Sequence, residues 1–145
     1  MHQIVDQVEI ETPGPGLIDI TGRVSGWLRG HSPSDGLLTC MVRHTSCSLT
    51  IQENADPDVL RDLQDAMAGL APHGGRERYR HASEGPDDMA AHIRTVLSGV
   101  TLSIPVQSGR MMLGTWQGIY LWEHRDRGRA RTVALHLLQN AGGPV

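Results

Sequence analysis

The sequence predicts an α+β domain with antiparallel, sandwich-like sheet layers and three helices packed on a face. Three observations lead there. Residues 37–42 form a continuous apolar run of strand length, and residues 47–52 alternate apolar with polar. Three other stretches repeat apolar residues at helical spacing. The connections between strands are short, which favours antiparallel neighbours with helices covering a face.

The elements follow in order. Residues 3–12 read as a strand, broken by Pro13-Gly14-Pro15-Gly16. Ile20, Val24, Trp27 and Leu28 make one face of a short helix that ends near Gly30. The runs at 37–42 and 47–52 read as neighbouring strands, separated by Arg43-His44-Thr45-Ser46. A second helix starts at Asp56, a good N-cap, with Pro57 in the first turn and Asp58 at the positive end of the dipole. Its apolar stripe is Val59, Leu60, Leu63, Met67 and Leu70, with Pro72 beyond. After a polar, irregular stretch at 73–85, a third helix starts between Pro86 and Met89. It turns Met89, Ile93, Val96 and Leu97 inward and stops at Gly99. Strands at 100–106, 118–124 and 131–138 close the chain, with Arg127-Gly128-Arg129 as a hairpin turn between the last two.

At 145 residues the chain suits a single domain, residues 1–145. A net charge of −3 is a poor match to a polyanion, so no nucleic-acid partner is expected. All 13 basic residues are arginine. Without lysine there is no Schiff-base chemistry, hence no PLP, and no phosphate-binding lysine of a P-loop, hence no nucleotide cofactor. Phenylalanine is absent and aromatics are few, which argues against a base-stacking platform. No apolar stretch reaches the length of a membrane span or signal core, so the expected address is the cytoplasm, with no membrane partner. Cys40 and Cys47 form no disulfide framework or CxxC motif, and Cys40 reads as a buried apolar residue.

Eight histidines dominate the candidate chemistry. His2 and His31 read as solvated, His73 as a loop residue, and His136 as a hydrogen-bonded strand residue. His44, His81, His92 and His124 differ. His44 ends a buried strand, His81 follows Arg78-Tyr79-Arg80, His92 borders the apolar stripe of its helix, and His124 ends an apolar strand. Imidazoles entering from separate elements, with carboxylates nearby, could bind zinc or serve as general acids and bases. The spacing includes neither HExxH nor a His-x-His pair. Asp56, Asp58, Asp87 and Asp88 read first as helix caps, whereas Glu53 and Glu84 lie in polar stretches just before helices and are the carboxylates to test. Gly114-Thr115-Trp116-Gln117-Gly118 could present backbone N–H groups to an anion, or simply link strands with Trp116 plugging the core.

Three blocks then coincide. The segment from His44-Thr45-Ser46 through Glu53-Asn54-Ala55-Asp56 to Val59 resembles the signature of the YjbQ-like family. So do Tyr79-Arg80-His81 with Glu84-Gly85-Pro86-Asp87-Asp88-Met89 and Ala91-His92-Ile93, and Leu113 to Leu121 with Glu123-His124-Arg125. The resemblance covers nearly the whole chain. It departs at Ala90, where family patterns often carry proline; alanine is the better helix former. The resemblance implies a compact α+β fold, a homotrimer, and a secondary thiamine-phosphate synthase activity. It carries over His44, Thr45, Ser46, Glu53, Asn54, Asp56, Tyr79, His81, Glu84, Asp88, His92, Thr115, Trp116, Gln117, Glu123, His124 and Arg125 as motif positions.

The leading expectation is a transferase joining an aminopyrimidine-methyl diphosphate to a thiazole phosphate with loss of diphosphate. Such a reaction needs charge stabilisation more than a protein nucleophile. His44, Glu53, His81, Glu84, His92 and His124 are the expected catalytic groups, and Thr45, Ser46, Asn54, Arg80, Thr115, Trp116, Gln117 and Arg125 the substrate contacts. In the transferase, Arg80, Arg125 and the imidazoles are expected to hold the phosphates, with a divalent metal, zinc or magnesium, on Asp or Glu. His44, His81 and His92 should converge on one pocket and are the histidines expected to bind a metal. The alternatives are a metal-dependent hydrolase or lyase working through a zinc-bound water in a three-histidine site, and a non-catalytic trimeric module that binds a metal or small anion.

Overall fold

The computed structural model describes residues 1–31 and 33–141. The order is β1 (His2–Glu11), β2 (Gly16–Asp19), α1 (Thr21–Gly30), β3 (Gly36–Val42), β4 (Cys47–Glu53), α2 (Pro57–Leu70), α3 (Asp88–Ser98), β5 (Thr101–Gln107), β6 (Arg110–Met111), β7 (Gln117–Glu123) and β8 (Ala130–Gln139). Two antiparallel sheets result: five strands in the order β1-β8-β3-β5-β6, and three in the order β2-β7-β4. The fold is therefore α+β, and its sheets face each other across one apolar core. Leu38, Cys40 and Val42 of β3 and Val133, Leu135 and Leu137 of β8 meet Leu49, Ile119 and Leu121 from the smaller sheet. Alternation along β8, whose odd-numbered residues from Arg131 are buried, gives the larger sheet its one inward face.

The helices divide their work. Val24 and Leu28 of α1 join the core itself, whereas α2 packs on β2 and β4 and α3 on β4. That cover explains why Ser48, on the expected polar face of β4, is fully buried. Asp56 caps α2 as expected, its Oδ1 accepting the Asp58 N–H at 2.9 Å. Leu70 at the far end of that helix is exposed. On α3 the inward face is not the expected one. Val96 is 84 % exposed and Leu97 is also outside, while Ala90, Ala91, Arg94 and Thr95 are buried. Two alanines bring the helix close to the sheet, and Arg94 remains satisfied by donating through Nε and Nη2 to the Ala71 carbonyl.

Two short strands, β2 and β6, lie in segments the sequence pattern leaves as breaks. The larger correction concerns connectivity. β3 and β4 are not paired neighbours, and Arg127-Gly128-Arg129 does not close a hairpin: β3 and β8 belong to one sheet, β4 and β7 to the other. Apolar runs that must face each other across a core cannot also pair edge to edge. Both short links therefore carry the chain from sheet to sheet. They do so at the same end of the sandwich, because Cys47 at the start of β4 pairs with Glu123 at the end of β7. Gly128 permits the second crossing, since a Cβ there would stand 1.9 Å from the Thr12 carbonyl oxygen.

Candidate functional site

The two sheet-switching links, the loop after residue 80 and the start of α3 enclose a polar cleft of about 540 Å³. Arg43, His44, Thr45 and Ser46 come from the first crossing, His81 and Glu84 from the loop, and Asp88 and His92 from α3. Arg125, Arg129 and Arg131 come from the second crossing and the start of β8. All three histidines expected to converge do line this one cleft.

Asp88 is its centre. Oδ2 lies 2.6 Å from His81 Nε2 and 3.3 Å from His92 Nε2, while Oδ1 accepts Arg125 Nη1 at 2.6 Å. Burial works against ionisation of Asp88, but the His81 hydrogen bond and the Arg125 charge outweigh it and hold the carboxyl below its usual range. Asp87 fixes the other side of Arg125, with Oδ2 at 2.8 Å from Nε, and Arg125 Nη2 donates to the Glu84 carbonyl at 3.0 Å. Neither aspartate is spent as a side-chain cap of α3: Asp87, at the N-cap position, makes no cap hydrogen bond.

His92 carries a tautomeric constraint. Its Nδ1 is 2.9 Å from the Thr45 carbonyl, which can only accept, so Nδ1 bears a proton. In the neutral ring Nε2 then offers its lone pair toward Asp88 Oδ2. Either a proton on Nε2 or a metal ion bound by both atoms would satisfy this 3.3 Å pair. His81, Asp88 and His92 can each present one ligand atom within 4.8 Å of the others, the donor set of a metal centre. The donation to Thr45 fixes the ring as an outer-shell contact would fix a histidine ligand.

His44 stands in the same cleft but outside that triplet. Its Nε2 accepts the Thr132 backbone N–H at 2.9 Å, so the neutral ring carries its proton on Nδ1. Burial, followed by the charge of Arg131, pushes its pKa down. Among the described residues, the triplet close enough to share a metal ion contains Asp88 and not His44. The helical Asp88-x-x-x-His92 spacing, which puts both groups on one face, is the sequence signal that could have found it.

Beneath the cleft lies a buried ion pair. Glu123 accepts Arg131 Nε at 2.7 Å and Thr12 Oγ1–H at 2.8 Å, and also pairs with Arg131 Nη2. Arg131 Nη2 further donates to Ser46 Oγ at 3.0 Å. Arg131 and the Ser46 hydroxyl therefore belong chiefly to the floor. His124 is likewise inside: it is 0 % exposed, with Nε2 2.7 Å from Ser48 Oγ. Burial first, and the Arg94 charge second, push its pKa down to about 3, so it is a neutral structural histidine.

The remaining expected site residues lie elsewhere. Glu53 pairs with Gln117 at the opposite end of the β4–β7 ladder, six residues from Cys47, or about 20 Å away at strand rise. Asn54 donates its backbone N–H to the Trp116 carbonyl there, and Gln117 Oε1 accepts the Gly114 N–H that an anion would have used. Trp116 is 63 % exposed, plugging nothing. Within one chain, then, Glu53, Asn54, Thr115, Trp116 and Gln117 form a second locus. Arg80 is exposed and does not line the histidine cleft. His31 is half-buried rather than solvated, its ring 4.5 Å from that of Trp27.

The profile described as "UPF0047 protein YjbQ-like" matches residues 6–140. The chain belongs to this family. It is 50 % identical over 128 residues to the UPF0047 protein sll1880 of Synechocystis sp., covering 88 % of this chain and 86 % of that one. It is 44 % identical to the UPF0047 protein YjbQ of Salmonella typhimurium, covering 79 % and 82 %. Among solved structures it is similar to the conserved hypothetical protein TT1486 from Thermus thermophilus. There the TM-score is 0.82 at 40 % identity, over 92 % of this chain and 99 % of that one. The YjbQ-like architecture thus extends across both loci, the histidine cleft and the Trp116 turn alike. No helix among the described residues is long and apolar enough to cross a membrane.

Proposed function

We propose that this YjbQ-like chain is a metal-dependent enzyme acting on a small phosphorylated substrate in the histidine cleft. The observation that carries the reading is the triplet His81, Asp88 and His92, whose ligand atoms lie within 4.8 Å of one another, with His92 Nδ1–H bound to Thr45 so that Nε2 faces Asp88. Two imidazoles and one carboxylate suit zinc better than magnesium, which prefers oxygen ligands throughout. Bound there, the metal would supply Lewis-acid stabilisation of charge developing on a phosphate oxygen.

The leading reaction is the thiamine-phosphate synthase type. The bond from the aminopyrimidine methylene to its diphosphate breaks, the diphosphate leaves with the electron pair, and the thiazole nitrogen then bonds to the methylene. His81, Asp88 and His92 hold the metal. Arg125, already fixed by Asp87 and Asp88, orients Asp88 instead of taking the leaving group directly. We further propose the homotrimer that the family resemblance implies. A cytoplasmic address is supported by two free, buried thiols.

Zinc analysis of the purified protein, followed by turnover of the two phosphorylated precursors with and without restored zinc, tests this reading. Thiamine phosphate formed only by the zinc-loaded protein is the expected result. Zinc bound without turnover of these precursors would leave a binding module or a different reaction class in its place. Sedimentation equilibrium at micromolar concentration checks the trimer, and a monomer would remove it.

A further inference from the structure

Arg80 and Arg125 are the expected phosphate grips, yet neither is free to serve: Arg80 lies off the cleft and Arg125 is held by two aspartates. Arg131 is likewise spent on Glu123. Two cations remain. Arg43 and Arg129 both line the cleft, and neither guanidinium has a carboxylate within salt-bridge reach among the described residues. Arg43 Nη1 donates only to the neutral Gln7 Oε1, at 2.9 Å. His44, next to Arg43 in sequence, lines the same cleft and feels the positive charge of both. With Nε2 taken by the Thr132 N–H, its remaining donor is Nδ1–H, for which no protein acceptor exists among the described residues.

We propose that Arg43, His44 Nδ1–H and Arg129 form the phosphate subsite of this cleft, beside the His81–Asp88–His92 metal position. The subsite rests on the reading that the cleft takes a phosphorylated ligand, and it adds which residues bind the phosphoryl group. The chemistry is consistent on each count. Two uncompensated guanidiniums match the charge of a phosphate monoester and can each donate two parallel N–H bonds. A neutral imidazole held in one tautomer adds a donor without having to be protonated. The cleft, at about 540 Å³, has room for an ester beyond its phosphate. Both arginines sit on the sheet-switching links, one on each, so a bound phosphate would tie the two crossings together.

Isothermal titration with phenyl phosphate and with inorganic phosphate, on zinc-loaded and chelator-treated protein, tests the subsite. Arg43→Gln and Arg129→Gln should each weaken phenyl phosphate binding roughly tenfold, the scale of one lost charge-assisted contact. Zinc content should not change. Arg110→Gln, an exposed arginine on β6, should leave both unchanged. Melting curves verify that the variants fold. Phosphate binding that is insensitive to both substitutions, or no binding of either probe, overturns the subsite. Arginine-dependent phosphate binding in a protein that takes up no zinc supports the subsite while removing the metal reading. Zinc uptake without any phosphate binding does the reverse.

Discussion

Asp88 holds Arg125 through Oδ1, 2.6 Å from Nη1, and so leaves Oδ2 as its single oxygen toward His81 and His92. A carboxylate pinned on one side in this way is a preoriented monodentate ligand. Asp88→Asn, His81→Ala and His92→Ala should therefore each lower zinc affinity at least ~100-fold, beyond what outer-shell changes cost. Equilibrium dialysis against zinc reads this directly. Wild-type zinc affinity in any of the three would take that residue out of the metal set.

Helix α2 depends on its N-cap residue. Asp56→Ala removes the hydrogen bond to the Asp58 N–H and should cost about 1 kcal/mol in urea unfolding. Zinc binding should be untouched, because Asp56 is not among the cleft residues. Lost zinc binding with unchanged stability would mean that Asp56 serves the site instead of the helix.

Acid should destabilise the protein before most carboxylates titrate. His124 has its folded pKa pushed down from 6.5 to about 3, so the unfolded chain binds its proton first. The stability this contributes is full above pH 6.5 and is lost as pH falls toward 3, by up to about 1.4 kcal/mol per pH unit. His44, also depressed, acts in the same direction. Chemical denaturation between about pH 7 and pH 4.5 should show the decline, and His124→Gln should flatten it. An unchanged slope in that variant would assign the decline to other groups.

The pair under the cleft should behave as a buried charge pair does. Glu123→Leu strands the Arg131 guanidinium, 2 % exposed, and should cost roughly 3–5 kcal/mol. Adding Arg131→Met should recover much of that loss. If the double variant is as unstable as the single, the damage comes from shape, with stranded charge playing no part.

Much of this is legible in the sequence, and the failures share a cause. Strand and helix positions follow from local periodicity, and the cap at Asp56 from residue type alone. Periodicity does not say which sheet a strand joins, so the links at 43–46 and 127–129 read as edges of paired neighbours when they are crossings. It also treats arginine as polar, which hides Arg94 on the buried face of α3. His44, His81 and His92 stand out because half-buried imidazoles at element ends need partners. Asp88 does not, because an aspartate at a helix start has a cheaper explanation. The Glu53–Trp116 locus, though contained in the same family motifs, lies about 20 Å along the ladder, a separation that motif order cannot reveal.

The Glu123–Arg131 pair joins the last residue of β7 to the second residue of β8, and so rivets the smaller sheet to the larger. Thr12, just beyond β1, is bound into the same rivet. Sliding one sheet over the other would pull these charges apart in a dry interior, so the floor of the cleft has almost no compliance. The wall is built differently. Residues 73–87 are irregular, lie largely at the surface, and meet the rest of the cleft through polar contacts such as His81–Asp88 and the Glu84 carbonyl with Arg125. Any adjustment of this site to the size of its ligand must come from that wall, and the depth of the cleft will stay constant while its width varies.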